Sequence, residues 1–151
     1  MSISLQLANE AATMALGVQL AHLLRSGDVV RLEGDLGAGK STLARALIRE
    51  LTGAGDAPSP TFTFVETYDA PDFRIWHFDF YRLEKAEDVW ELGLEEALED
   101  GAVIIEWPEH AEQFLPETAL VIKLDIAGDM RQAKIEANDL WEARLEKAGI
   151  A

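Results

Sequence analysis

One octapeptide restricts this chain more than any other feature: Gly34-Asp35-Leu36-Gly37-Ala38-Gly39-Lys40-Ser41 satisfies GxxxxGK[ST] in full. The stretch Asp28 to Glu33 before it has the mixed apolar and polar character of a partly buried strand, and after it Leu43, Ala46, Leu47 and Leu51 recur at helical spacing. A strand, a glycine-rich turn and a helix in that order let successive N–H groups, from about Gly37 to Thr42, converge on phosphate oxygens, with the positive end of the helix dipole behind them. Lys40 then supplies a point charge to the two terminal phosphates, and the Ser41 hydroxyl is placed to ligate Mg²⁺. Asp35, Leu36, Gly37, Ala38, Gly39, Lys40, Ser41 and Thr42 form the expected nucleotide-binding stretch. No Asn-Lys-x-Asp guanine reader is present, which points weakly to ATP over GTP.

Phosphate-loop folds are α/β, and the remaining periodicity agrees. Ile3 to Leu7 alternates as a strand; Asn9 can cap a helix from Glu10 to Leu24; Thr61 to Tyr68 and Phe73 to Phe80 resemble an antiparallel pair. Glu84 to Leu98 reads as a helix that Gly93 can break, and Ala102-Val103-Ile104-Ile105 is an apolar run of the kind covered on both faces of a sheet. Leu120 to Ile126 and Arg131 to Glu136 flank Gly128-Asp129 as a hairpin would, and Leu140, Arg144 and Lys147 belong to a closing helix. The expected architecture is a P-loop NTPase-like three-layer sandwich, with a mainly parallel central sheet carrying antiparallel strands at one side, in a single domain over residues 1–151.

Charge excludes one class of function. With 28 acidic residues against 13 basic ones the formal charge is −15, so a polyanion is repelled over most of the surface and unaided nucleic-acid binding is not expected. The same excess is compatible with plain solubility or with a basic protein partner. There are no cysteines, no apolar run approaches the roughly 20 residues that span a bilayer, and the N-terminus has no signal-peptide pattern; a cytoplasmic location with no membrane association is the expectation.

A phosphate loop needs a carboxylate for Mg²⁺ or its waters, usually at the C-terminal end of a neighbouring buried strand. Glu106 follows the Ala102 to Ile105 run directly, and Asp79 ends the strand-like Ile75-Trp76-His77-Phe78. Glu106 is favoured as the metal partner with Ser41, and Asp79 as the group that orients a water, so Lys40, Asp79 and Glu106 make the candidate catalytic set. Thr61 follows a loop that could cross the terminal phosphate, although Ser59-Pro60-Thr61 is also ordinary turn chemistry. His77 reads as a packed residue with a satisfied hydrogen bond rather than a general base. Trp107 reads as a core aromatic rather than a partner-facing one, and Arg82, as a surface ion-pair residue, stays outside the catalytic set.

Taken together, the phosphate loop with Thr42, then Ser59-Pro60-Thr61-Phe62-Thr63, then His77-Phe78-Asp79-Phe80-Tyr81-Arg82-Leu83, then Glu106-Trp107-Pro108-Glu109 resemble the TsaE (YjeE) family, and Thr13 with Leu16-Gly17 resembles its N-terminal helix signature. The resemblance implies an ATP-binding, ATP-hydrolysing subunit required for threonylcarbamoyladenosine modification of tRNA. It would work with a TsaD–TsaB heterodimer, meeting tRNA only indirectly through that complex. It also implies that Lys40 contacts the phosphates, that Ser41 and Glu106 serve Mg²⁺, that Thr13 and Thr61 join the nucleotide-binding residues, and that Thr42 and Asp79 are further functional positions. The alternatives are a small-molecule kinase, for which no acceptor signature is apparent, and a nucleotide-regulated binding module without significant hydrolysis.

Overall fold

The computed structural model describes residues 1–53, 60 and 63–150. The chain runs β1 (Ser2–Leu7), α1 (Glu10–Ala21), β2 (Val29–Glu33), α2 (Lys40–Thr52), β3 (Val65–Asp69) and β4 (Arg74–Asp79), followed by a 3₁₀ segment at Ala86–Trp90. It continues through α3 (Leu94–Asp100), β5 (Gly101–Glu106), a 3₁₀ segment at Pro108–Phe114, β6 (Leu120–Ala127), β7 (Met130–Glu136) and α4 (Asp139–Lys147).

All the strands join one sheet in the order β1-β7-β6-β2-β5-β4-β3. The four central strands β6, β2, β5 and β4 are mutually parallel, which suits runs such as β5 that are buried on both faces. The α/β sandwich with a parallel centre is therefore the fold expected from the sequence, with one refinement. Antiparallel strands flank both margins rather than one: β7 and β1 on one side, β3 on the other.

Period-two alternation sorts the strand side chains into two cores. Val30, Leu32, Ile75, Ala102, Ile104, Ile122 and Leu124 face Leu16, Leu20, Leu43, Leu47, Trp141 and Leu145 of α1, α2 and α4. Val29, Trp76, Phe78, Val103 and Ile105 face Val89, Leu94, Ala97 and Ala111 of the opposite layer. Each fully buried Leu or Phe in these layers stabilises the fold by roughly 1.5–3 kcal/mol over an exposed one. Sitting at the C-terminal ends of the parallel strands, the loop between β2 and α2 is placed to meet residues from β4 and β5.

Local chemistry sets most boundaries. The Asn9 side chain accepts from the Ala12 amide at 2.9 Å and starts α1 where expected, but the helix ends at Ala21 rather than Leu24. The region read as a helix from Glu84 to Leu98 that Gly93 can break is divided there: a 3₁₀ turn precedes α3, and Gly93 takes a left-handed conformation (φ 90°) that interrupts helical hydrogen bonding. The strand expected from Thr61 begins only at Val65, with Phe64 in a left-handed conformation (φ 67°) just before it; Thr61 itself lies outside the described residues. No helix among the described residues is long and apolar enough to cross a membrane.

Candidate functional site

The loop from Gly34 to Gly39 leads straight into α2, whose first residue is Lys40. Gly39 caps that helix in a left-handed conformation (φ 108°), which turns the following amides toward the space above the loop. Gly34 is required for a different reason: a Cβ there would lie 2.4 Å from the Leu124 carbonyl oxygen, so only a bare backbone passes β6 at this point. On the far side, Arg131 of β7 donates to the Gly37 carbonyl at 3.1 Å and ties the loop to the hairpin. Thr13 of α1 is buried behind the loop, its methyl group 3.5 Å from where a Gly39 Cβ would stand.

A cleft of about 580 Å³ opens over this loop, lined by Leu36, Gly37, Gly39, Lys40, Ser41 and Thr42 from the loop and α2, and on the other wall by Asp79, Tyr81, Arg82, Glu106 and Trp107. The parallel register pairs Asp79 with Glu106 at the ends of β4 and β5, so both carboxylates emerge side by side. The expected set Lys40, Ser41, Thr42, Asp79 and Glu106 is thus brought into one place. Among the remaining expected loop residues, Ala38 is buried, and Asp35 lies outside the cleft lining, its backbone carbonyl accepting from the Ala38 amide.

Three of these groups are buried and coupled. The Ser41 hydroxyl donates to Glu106 Oε1 at 2.8 Å, while the other carboxylate oxygen, Oε2, is held by His77 Nε2 at 2.7 Å. Burial pushes the Glu106 carboxyl up, but the His77 hydrogen bond and charge, the Ser41 hydroxyl and nearby Lys40 together outweigh it and hold the group below its ordinary range. Glu106 therefore stays a carboxylate throughout the neutral range. Lys40 donates to the Gly34 carbonyl; burial lowers its pKa, against the opposing pull of Glu106, Glu109, Asp79 and Asp35. Asp79, only 5% exposed, accepts from the Tyr81 amide at 3.0 Å. A serine hydroxyl beside an ionised carboxylate is the hard oxygen donor set that Mg²⁺ takes, so these residues fit that ion.

Four residues have a larger place here than sequence reasoning assigned. Trp107 is not simply core: its ring centroid lies 3.5 Å from Lys40 Nζ, and it packs edge-on to Tyr81 at 4.8 Å and against His110 at 5.7 Å. The ring reaches that position because Trp107 takes a left-handed backbone (φ 58°, ψ 50°) immediately before Pro108, a conformation that costs about 1–3 kcal/mol. Tyr81 and Arg82 line the cleft, and His77 grips Glu106. The available signal was proximity in sequence, since each lies within three residues of Asp79 or Glu106. Residue type alone gave no direction to the side chains.

Comparison with known proteins fits this geometry. The family described as "Threonylcarbamoyl adenosine biosynthesis protein TsaE" matches residues 7–135. A tRNA threonylcarbamoyladenosine biosynthesis protein TsaE from Rickettsia felis is 38% identical over 125 residues, covering 82% of this chain and 73% of the relative. The protein of the same name from Nostoc sp. is 40% identical over 135 residues, covering 85% and 82%. The crystal structure of Bacillus subtilis YdiB superposes with a TM-score of 0.83 at 29% identity, over 99% of this chain and 95% of that one. The phosphate loop, the paired acids and the Trp107 wall all fall inside the matched span, and the chain belongs to the TsaE family of threonylcarbamoyladenosine biosynthesis proteins.

Proposed function

We propose that this chain binds Mg-ATP on the Gly34–Ser41 loop and hydrolyses it slowly, in support of repeated tRNA threonylcarbamoyladenosine modification by a TsaD–TsaB heterodimer. The observation that carries this reading is the convergence of Lys40, Ser41, Asp79 and Glu106 on one cleft above a helix N-terminus. In it, Lys40 and the loop amides bind the phosphates and offset charge that grows on the transferred phosphoryl group. Ser41 and Glu106 would hold Mg²⁺, whose positive charge would offset that of the nucleotide phosphates. Asp79, held by the Tyr81 amide, orients the attacking water. Thr42 adds its amide to the phosphate cradle, and Thr13 supports the loop from behind. Thr61 is proposed to sense the terminal phosphate.

Family membership supports the pathway, and the acidic surface supports action through protein partners rather than by direct contact with tRNA. The test is ATP turnover by wild type and by Lys40→Ala, each with and without TsaD and TsaB. We expect weak turnover by the wild type alone, stimulation by the partners, and a loss of about 100-fold or more in the variant. Phosphorylation of a small acceptor would instead indicate a kinase, and nucleotide-dependent assembly without turnover a binding module. Full ATP affinity and hydrolysis in Lys40→Ala would remove the site from consideration.

A further inference from the structure

We propose that His77 is a positioning residue that acts through its Nε2–H to fix the Glu106 carboxylate, and that this contact sets how strongly Mg²⁺ and nucleotide bind together; the inference rests on the Mg-nucleotide reading above. Period-two alternation puts Ile75, His77 and Asp79 on the α2 side of β4, and Ala102, Ile104 and Glu106 on the same side of β5. His77 is paired in register with Ile104, one pleat below the Asp79–Glu106 pair, so its ring reaches up to the carboxylate from beneath the cleft.

The ring has no solvent exposure and does not line the cleft, so it cannot receive a proton from an attacking water. As packing alone it is a poor element, because Nδ1 is buried with no hydrogen-bond partner among the described residues. What it supplies is a directional donor. With Oε2 bonded to His77, the carboxylate cannot rotate, and Oε1 is left facing the Ser41 hydroxyl 2.8 Å away. A carboxylate whose ligating oxygen is set by a buried imidazole is an outer-shell arrangement of the kind that tunes metal affinity.

Calorimetric titration of ADP in EDTA and across a Mg²⁺ series tests this in wild type, His77→Phe, His77→Gln and Glu106→Gln. The Phe side chain keeps ring bulk without a donor, and Gln keeps a side-chain N–H. We expect metal-free affinity to agree within about twofold between wild type and the two His77 variants, and the half-saturating Mg²⁺ to rise about 10- to 100-fold in His77→Phe, with most of that loss restored in His77→Gln. A His77→Phe variant with the wild-type Mg²⁺ dependence, beside a Glu106→Gln variant that has lost it, overturns the inference and leaves the site reading intact. Absence of any Mg²⁺ dependence in the wild type overturns both. A second measurement needs no substitution: ¹⁵N spectra of histidine-labelled wild type should place the His77 proton on Nε2 in the Mg-ADP complex, and a ring protonated only on Nδ1 is incompatible with the proposed donor.

Discussion

At Glu33, the last residue before the phosphate loop, the protein tolerates an unfavourable charge. Burial raises its pKa above the ordinary 4.5; Arg31 opposes this, while Glu109, Glu112 and Glu136 add to it. Arg31 bonds both Glu33, at 3.4 Å, and Glu112, so its charge is shared rather than dedicated. The sign of the effect follows from linkage. Because the folded state keeps a proton on Glu33 at pH values where the unfolded chain has released it, stability falls as pH rises from 4.5 through the folded pKa, and the penalty is fully present above it. Glu33→Gln should therefore stabilise the protein at pH 7 to 8. With its side chain 27% exposed, solvent screening limits the gain to about 0.5 kcal/mol, or roughly 1–2 °C in Tm. Thermal unfolding at several pH values checks this: the advantage over wild type should vanish below the ordinary carboxylate range, and an advantage that grows on acidification contradicts it. The exposed and buried charges differed in how readable they were. Lys40, Ser41 and Glu106 could be placed from the sequence because a motif and a strand end fix the backbone from which they project. The bonds of Arg31 to Glu112 and of His77 to Glu106 join residues 81 and 29 positions apart, and no local pattern specifies them.

Among the elements, α1 and α2 make the contact on which the loop geometry depends. Gly17 lets them approach so closely that a Cβ there would lie 2.6 Å from the Leu43 carbonyl oxygen and 3.0 Å from the Ala46 Cβ. Gly17→Ala should cost about 1–3 kcal/mol by forcing the helices apart, measured as a lower denaturation midpoint at unchanged slope. Because α2 begins at Lys40, the displacement should also weaken nucleotide binding. Asn9→Ala is the control. It removes the α1 cap at a cost of about 1 kcal/mol without touching the helix interface, so it should lower stability and leave nucleotide affinity near wild type. Equal losses of affinity in the two variants would mean that the helix contact has no special hold on the loop. Element starts with a local cause were legible, as Asn9 and the Gly128 turn illustrate. The break of the 84–98 region into two pieces was only partly so, since Gly93 marked the position but could not specify a 3₁₀ turn in place of a helical one.

For the whole molecule, pairing partners were the least legible feature. β1 pairs with β7 through contacts such as Ile3↔Ile135, and alternation in each strand says which faces are apolar but not which distant strand lies alongside. That missing information is why antiparallel strands at both margins, rather than one, could not be read from the sequence. Net charge, by contrast, is a property of the whole surface and needs no fold to interpret. At −15, the protein and a tRNA repel each other at long range, and lowering the ionic strength lengthens that repulsion. A direct nucleic-acid binder behaves in the opposite way, gaining orders of magnitude in affinity as salt falls because contacts with phosphates release counterions. If this chain meets tRNA only through its partners, a titration of tRNA into the protein alone should give no binding at about 150 mM salt and none at about 50 mM, where a basic site would be strongest. Adding TsaD and TsaB should bring both components into one complex. Binding by the isolated chain that tightens on dilution of salt would mean that a local cluster among its 13 basic residues overrides the overall field, and the indirect role would have to be abandoned.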